Sequence, residues 1–108
     1  MGTLAGPTAE AAAAADDRVV RLRLYVAGEA PNSLRALANL RAAIAELPEH
    51  RVHLELIDVL RDPETGLRDG VLMTPMLVRL APAPQRRILG NLSARGALLG
   101  VLQGPTDG

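Results

Sequence analysis

Between Val19 and Leu60 the apolar residues change period twice, and that change constrains the fold more than any other feature of the chain. In VVRLRLYV (Val19–Val26), Val20, Leu22, Leu24 and Val26 alternate with Arg21, Arg23 and Tyr25. Period two predicts a strand with one buried face. AGEAPNS then turns the chain, with Asn32 or Ser33 placed to cap a helix. Leu34, Leu37, Leu40, Ile44 and Leu47 follow at spacings of three and four, the stripe of an amphipathic helix that Pro48 ends. VHLELIDVL (Val52–Leu60) returns to strand periodicity and passes into an apolar end. Strand, helix and strand in so short a span make a βαβ unit, hence a parallel pair joined by a right-handed crossover.

The second half is shorter in its elements and richer in breakers. RDPETGLRDG offers Asp62 as N-cap and Pro63 as first helical residue, with Gly66 and Gly70 keeping that helix short. VLMTPMLVRL (Val71–Leu80) reads as a third strand, but Thr74-Pro75 lies inside it. Proline cannot donate to a ladder, so Pro75 marks an edge, a bulge or an X-Pro bond locked cis. APAP turns the chain, QRRILG is a short fourth strand antiparallel to the third, and Ser93 caps ARGALLGVL as a last helix. The order is βαβαββα, an α/β domain of thioredoxin-like arrangement. Folds of that kind carry a cis-proline at the start of the third strand, where Thr74-Pro75 stands. Their redox members carry reactive cysteines in the loop after strand one. Here that loop has none, which excludes thiol redox catalysis.

Composition excludes more. The chain has no cysteine, and all twelve of its basic residues are arginine, so disulfides, thiolate metal sites, Schiff-base lysines and P-loop lysines are ruled out. Residues 1–17 hold seven alanines and offer no apolar face; they read as a flexible leader, with an Ala-rich helical extension as the competing reading. Residues 104–108, GPTDG, read as a tail, leaving residues 18–103 as the folded domain. No apolar run approaches the roughly 20 residues of a membrane span, so the expectation is a soluble cytoplasmic protein. His50 and His53 form H-x-x-H, but three residues apart on a strand they point to opposite faces, and no metal or other cofactor is expected. No Ser-His-Asp set, phosphate loop or carboxylate pair stands out, and Asp58 reads as a strand-end residue, so the chain is not expected to be an enzyme.

Net charge is zero over the whole chain, yet Arg18 to Gln103 holds twelve arginines against eight acids. After Asp69 there is no acid until Asp107, while Arg79, Arg86, Arg87 and Arg95 fall between them. Such a basic third suits an acidic protein partner or nucleic acid, and equally a solvated face. One tyrosine, with no phenylalanine or tryptophan, argues against a single-strand nucleic-acid binder, which stacks bases on aromatic rings.

Four blocks, LYVAGEAPNSLRAL (Leu24–Leu37), IDVLRDP (Ile57–Pro63), TPMLVR (Thr74–Arg79) and RRILGNLS (Arg86–Ser93), together resemble the KaiB family of circadian clock proteins in order and spacing. The resemblance implies a non-catalytic protein that binds a KaiC-type hexameric ATPase and modulates its phosphorylation and ATPase cycle, with KaiA or a sensor histidine kinase as further partners. It implies a metamorphic chain, resting in a βαββααβ ground state as a tetramer or dimer and binding as a thioredoxin-like monomer. It also implies the alternative of a stand-alone sensor domain of the kinase-input type, fixed in the thioredoxin-like fold and binding KaiC without switching. By the same resemblance Arg86, Arg87 and Arg35 are partner-binding residues, and Gly90, Asn91 and Pro75 belong to the turn that decides between folds. Asn91 departs from the family's usual aspartate there: it still caps and tolerates positive φ, but it carries no charge. The residues themselves leave one fold or two open. Gly96 and Gly100 weaken the last helix by about 0.5–1 kcal/mol each relative to alanine.

Overall fold

The computed structural model describes residues 19–47 and 51–103. The elements are β1 (Val19–Val26), α1 (Pro31–Ala45), β2 (Arg51–Asp58), α2 (Pro63–Arg68), β3 (Met76–Ala81), β4 (Arg86–Leu89) and α3 (Arg95–Gln103). The expected leader 1–17, tail 104–108, helix stop at Pro48 and His50 lie outside the described residues. The strands form one sheet in the order β2-β1-β3-β4. β1 and β2 run parallel, with Val19 opposite Arg51 and Val26 opposite Asp58. β3 is antiparallel to β1, and β4 is antiparallel to β3.

The period-two reading of β1 explains the main core. Val20, Leu22, Leu24 and Val26 are buried on one face, where Leu77 of β3, Ala36, Leu40 and Ala43 of α1, and Leu98, Val101 and Leu102 of α3 meet them. The other face carries a smaller cluster of Tyr25, Met76 and Val78, with Ile57, Val59, Val71 and Leu80 against it. The six-residue α2 sits near that face, and its Gly66 comes so close to Val59 that an added Cβ would lie 3.1 Å from Val59 Cγ1.

The structure moves several expected boundaries. β2 ends at Asp58, two residues before Leu60. β3 begins at Met76, so Pro75 stands just outside the strand and removes no donor from the ladder; the Thr74-Pro75 bond is cis. α1 begins with Pro31 at its first position, and neither Asn32 nor Ser33 caps it. Instead the buried Ser33 Oγ accepts the Ala27 amide at 3.0 Å, tying the helix start to the end of β1. The buried stripe of α1 is Ser33, Ala36, Leu40 and Ala43, whereas Leu34 is 52% exposed. Small alanines let the helix lie close to the sheet, while Leu37, Ile44 and Leu47 pack against the edge of the same core. α3 starts at Arg95, two residues past Ser93, with the Leu98 amide donating to the Ala94 carbonyl, so Ala94 rather than Ser93 flanks the helix. The N-cap at Asp62 is as expected: its carboxylate accepts the Thr65 amide at 3.2 Å and the Thr65 hydroxyl at 2.6 Å.

Candidate functional site

The β3–β4 hairpin determines where the expected partner residues point. Val78 lies opposite Arg87 and Arg79 opposite Arg86, and successive strand residues face opposite sides of the sheet. Arg86 therefore shares the α3 side with Arg79, and Arg87 shares the α2 side with Val78. Sequence reading groups Arg86 and Arg87 as one basic pair; the pleat separates them, and both are exposed. Arg35 is exposed on α1, and no hydrogen bond or ion pair among the described residues joins it to either.

Pro75, Gly90 and Asn91 do come together. The Gly90 amide donates to the Pro75 carbonyl at 2.9 Å. Gly90 has φ +99°, a region that side-chain-bearing residues rarely enter, and Leu92 has φ +63° while burying its side chain in the main core. Asn39 on α1 donates through Nδ2 to the Asn91 carbonyl at 2.8 Å, and Asn91 Oδ1 accepts the Ser93 amide at 3.1 Å. The turn thus binds the end of β4 to the start of β3 and to α1, with Leu92 in a backbone conformation that costs free energy to hold.

Arg79 is the residue that sequence reading missed. It is 2% exposed, on the core side of a central strand. Its Nη1 donates to the Val101 carbonyl at 3.1 Å and its Nη2 to the Pro84 carbonyl at 2.8 Å, while Nε has no acceptor among the described residues. Burial, and after it the charge of Arg86, lower its pKa. Its only sequence signal is an arginine inside an apolar strand, on the phase of Leu77. Arg79, Arg86, Arg87, Ile88, Ala97, Gly100 and Val101 line a cleft of about 380 Å³ between β4 and α3, the long Arg87 side chain reaching its rim from the other face.

On the α2 side, Arg23, Tyr25 and Asp69 form a second polar group. The Tyr25 hydroxyl donates to Asp69 Oδ2 at 2.6 Å, Arg23 Nη1 donates to the same oxygen at 3.2 Å, and Arg23 Nε reaches Glu55 Oε1 at 2.8 Å. The Tyr25 bond holds the Asp69 carboxyl below its ordinary value, whereas burial raises the Tyr25 phenol. Beside this group Leu72 is 92% exposed, and Met73 and Leu89 border a cleft of about 290 Å³ with Met76 and Arg87. Asp58 is a loop staple: its Oδ1 accepts the Gly28 amide at 2.9 Å and the Leu60 amide at 3.0 Å, which hold its pKa low. No group of three or more His, Asp or Glu side chains able to hold a metal exists among the described residues, and no helix among them is long and apolar enough to cross a membrane.

The element order, the sheet order and the cis-proline beside β3 define a thioredoxin-like domain. The fold is similar to the N-terminal domain of Synechococcus elongatus SasA, with a TM-score of 0.62 and 21% identity over 74% of this chain and 75% of that one. It is also similar to mitochondrial thioredoxin 3 of Saccharomyces cerevisiae, with a TM-score of 0.60 and 18% identity over 82% and 78% of the two chains. Within that class the sequence is more specific. The family model of the KaiB domain matches residues 23–103. The circadian clock oscillator protein KaiB of Prochlorococcus marinus (strain MIT 9312) is 45% identical over 78 residues, 72% of this chain and 74% of the relative. The protein of the same description from Microcystis aeruginosa (strain NIES-843 / IAM M-2473) is 44% identical over 78 residues, 72% and 75% of the two chains. The chain belongs to the KaiB family.

Proposed function

We propose that the chain is a non-catalytic clock component that binds a KaiC-type hexameric ATPase and modulates its phosphorylation and ATPase cycle. The observation that carries this reading is the KaiB match over residues 23–103, which spans all six residues assigned to contacts and switching. The surface chemistry agrees with it. Arg86 and Arg87 are exposed on β4, an edge strand, and neither has an ion-pair partner among the described residues. Guanidinium forks left free in this way suit carboxylates of an acidic partner surface. Arg35 on α1 extends the same basic character. KaiA or a sensor histidine kinase is the further partner in hosts that have one.

Fold switching is part of the proposal. The strained Leu92, the positive-φ Gly90, the glycines of α3 and the four-residue β4 all lie in the half where a βαββααβ packing would differ. Two packings a few kcal/mol apart are then within reach of a partner's binding energy. A second reading, the fixed sensor domain, is favoured by the thioredoxin-like arrangement itself and its similarity to the SasA domain.

Size-exclusion chromatography with light scattering, alone and with a KaiC-type hexamer and ATP, tests both. A tetramer or dimer that dissociates to join the ring supports the switching component. A monomer that binds at once supports the fixed domain. Failure to bind in any nucleotide state overturns the KaiC reading.

A further inference from the structure

We propose that the cleft between β4 and α3 is an oxyanion site, floored by Arg79 and gated by Arg86, that takes a small aliphatic carboxylate. Arginine stays charged in proteins, and a buried cation is ordinarily held by a carboxylate. Arg79 has two neutral carbonyls instead, and its Nε–H has no acceptor among the described residues. The nearest charge across the hairpin is Arg86, of the same sign. Elsewhere the chain gives its acids other work: Glu46 pairs with Arg95, Glu55 and Asp69 with Arg23, and Asp58 and Asp62 bind loop and helix-start groups. From Gly70 through Thr106 the sequence has no acid to offer. Among the described residues no carboxylate pairs with the arginines that line the cleft, so its counter-charge is assigned to a bound anion.

The remaining lining selects the kind of anion. Ile88, Ala97 and Val101 make the wall apolar, and Gly100 leaves it open, since a Cβ there would meet no atom within 4 Å. A cleft of about 380 Å³ falls within the ordinary range for small-molecule sites. A carboxylate can fork onto guanidinium groups while its alkyl stem lies against Ile88 and Val101. An inorganic anion satisfies only the first half of that surface.

The test is a titration of the full-length, isotope-labelled chain with acetate, butyrate and inorganic phosphate, ionic strength held constant with sodium chloride. The Arg79 Nε–H and the Gly100 and Val101 amides are followed by NMR. The expected result is a saturable shift confined to these groups, with affinity rising about fourfold per added methylene from acetate to butyrate. Gly100→Leu puts a good helix former on α3 and fills the cleft, so it is expected to abolish the shift with the fold retained. Arg86→Gln is expected to weaken binding about tenfold, the loss of one charged hydrogen-bond partner. Shifts that chloride reproduces, phosphate binding tighter than butyrate, or full binding to Gly100→Leu would each overturn the site. The inference stands on the cleft alone: a chain that binds butyrate but no ATPase ring leaves it intact.

Discussion

Replacing Gly96 and Gly100 by alanine is expected to stabilise the thioredoxin-like arrangement. Both glycines lie within α3 and are exposed, neither has positive φ, and a Cβ built at either meets no atom within 4 Å. No packing gain or clash competes, so helix propensity alone sets the effect, about 0.5–1 kcal/mol per site. The double variant then gains about 1–2 kcal/mol, which in a domain of this size raises the melting temperature by roughly 5–10 °C. Urea unfolding followed by circular dichroism gives the same quantity as a shift in midpoint at constant slope. If the chain also has a second packing, in which these residues are not helical, the same free energy moves the balance toward the thioredoxin-like state by a factor of about 5–30. The monomeric fraction and the rate of ring binding should rise with it. A double variant that is less stable than the parent, or that gains oligomer at the expense of monomer, would refute the reasoning.

Three further outcomes are expected. Gly90→Ala meets no neighbouring atom, so its cost is the positive φ alone, about 1–3 kcal/mol by urea midpoint, and a neutral result would mean the turn relaxes freely. Tyr25→Phe removes the donor to Asp69 and is expected to cost about 1.5 kcal/mol while the Asp69 pKa, read by carboxyl NMR, moves back up. Asp58, Asp62 and Asp69 all titrate below their unfolded value of 3.8 in the folded chain, so their contribution is complete above about pH 5 and is lost as pH falls below about 4 through the folded values; a melting temperature flat from pH 7 to 2 would contradict this.

The parts of the fold that were legible in the sequence are those in which local preference and tertiary packing agree. β1 alternates because one of its faces meets α1 and α3, and Asp62 caps because its carboxylate reaches a free amide one turn on. α1 was legible as a helix and in most of its apolar stripe: Leu40 is buried and Leu37, Ile44 and Leu47 pack against the core, so the reading failed only at the edge. Apolarity ranks leucine above alanine, whereas close approach to a sheet favours alanine, so Ala36 and Ala43 are buried while Leu34 is exposed. The third strand was legible but began too early, since Val71–Leu72–Met73 looks like strand until Pro75 is given its geometric place outside the ladder. At the candidate site, Pro75, Gly90 and Asn91 were singled out from a family pattern; that the Gly90 amide bonds the Pro75 carbonyl comes from the structure. Arg79 was not expected, because a charge on a strand reads as a solvent-facing residue; only the sheet order, which puts β3 between β1 and β4, turns it inward.

Tyr25 is the chain's only aromatic side chain, and its hydroxyl is bonded to Asp69 at the end of α2. Near-ultraviolet circular dichroism and intrinsic emission of this protein are therefore signals from a single address, the junction of β1 with the α2–β3 connection. They report whether that connection is docked, from the face of the sheet opposite α3. A rearrangement confined to the far side of the sheet would change the far-ultraviolet spectrum while leaving the tyrosine signal in place. Global unfolding would change both at once.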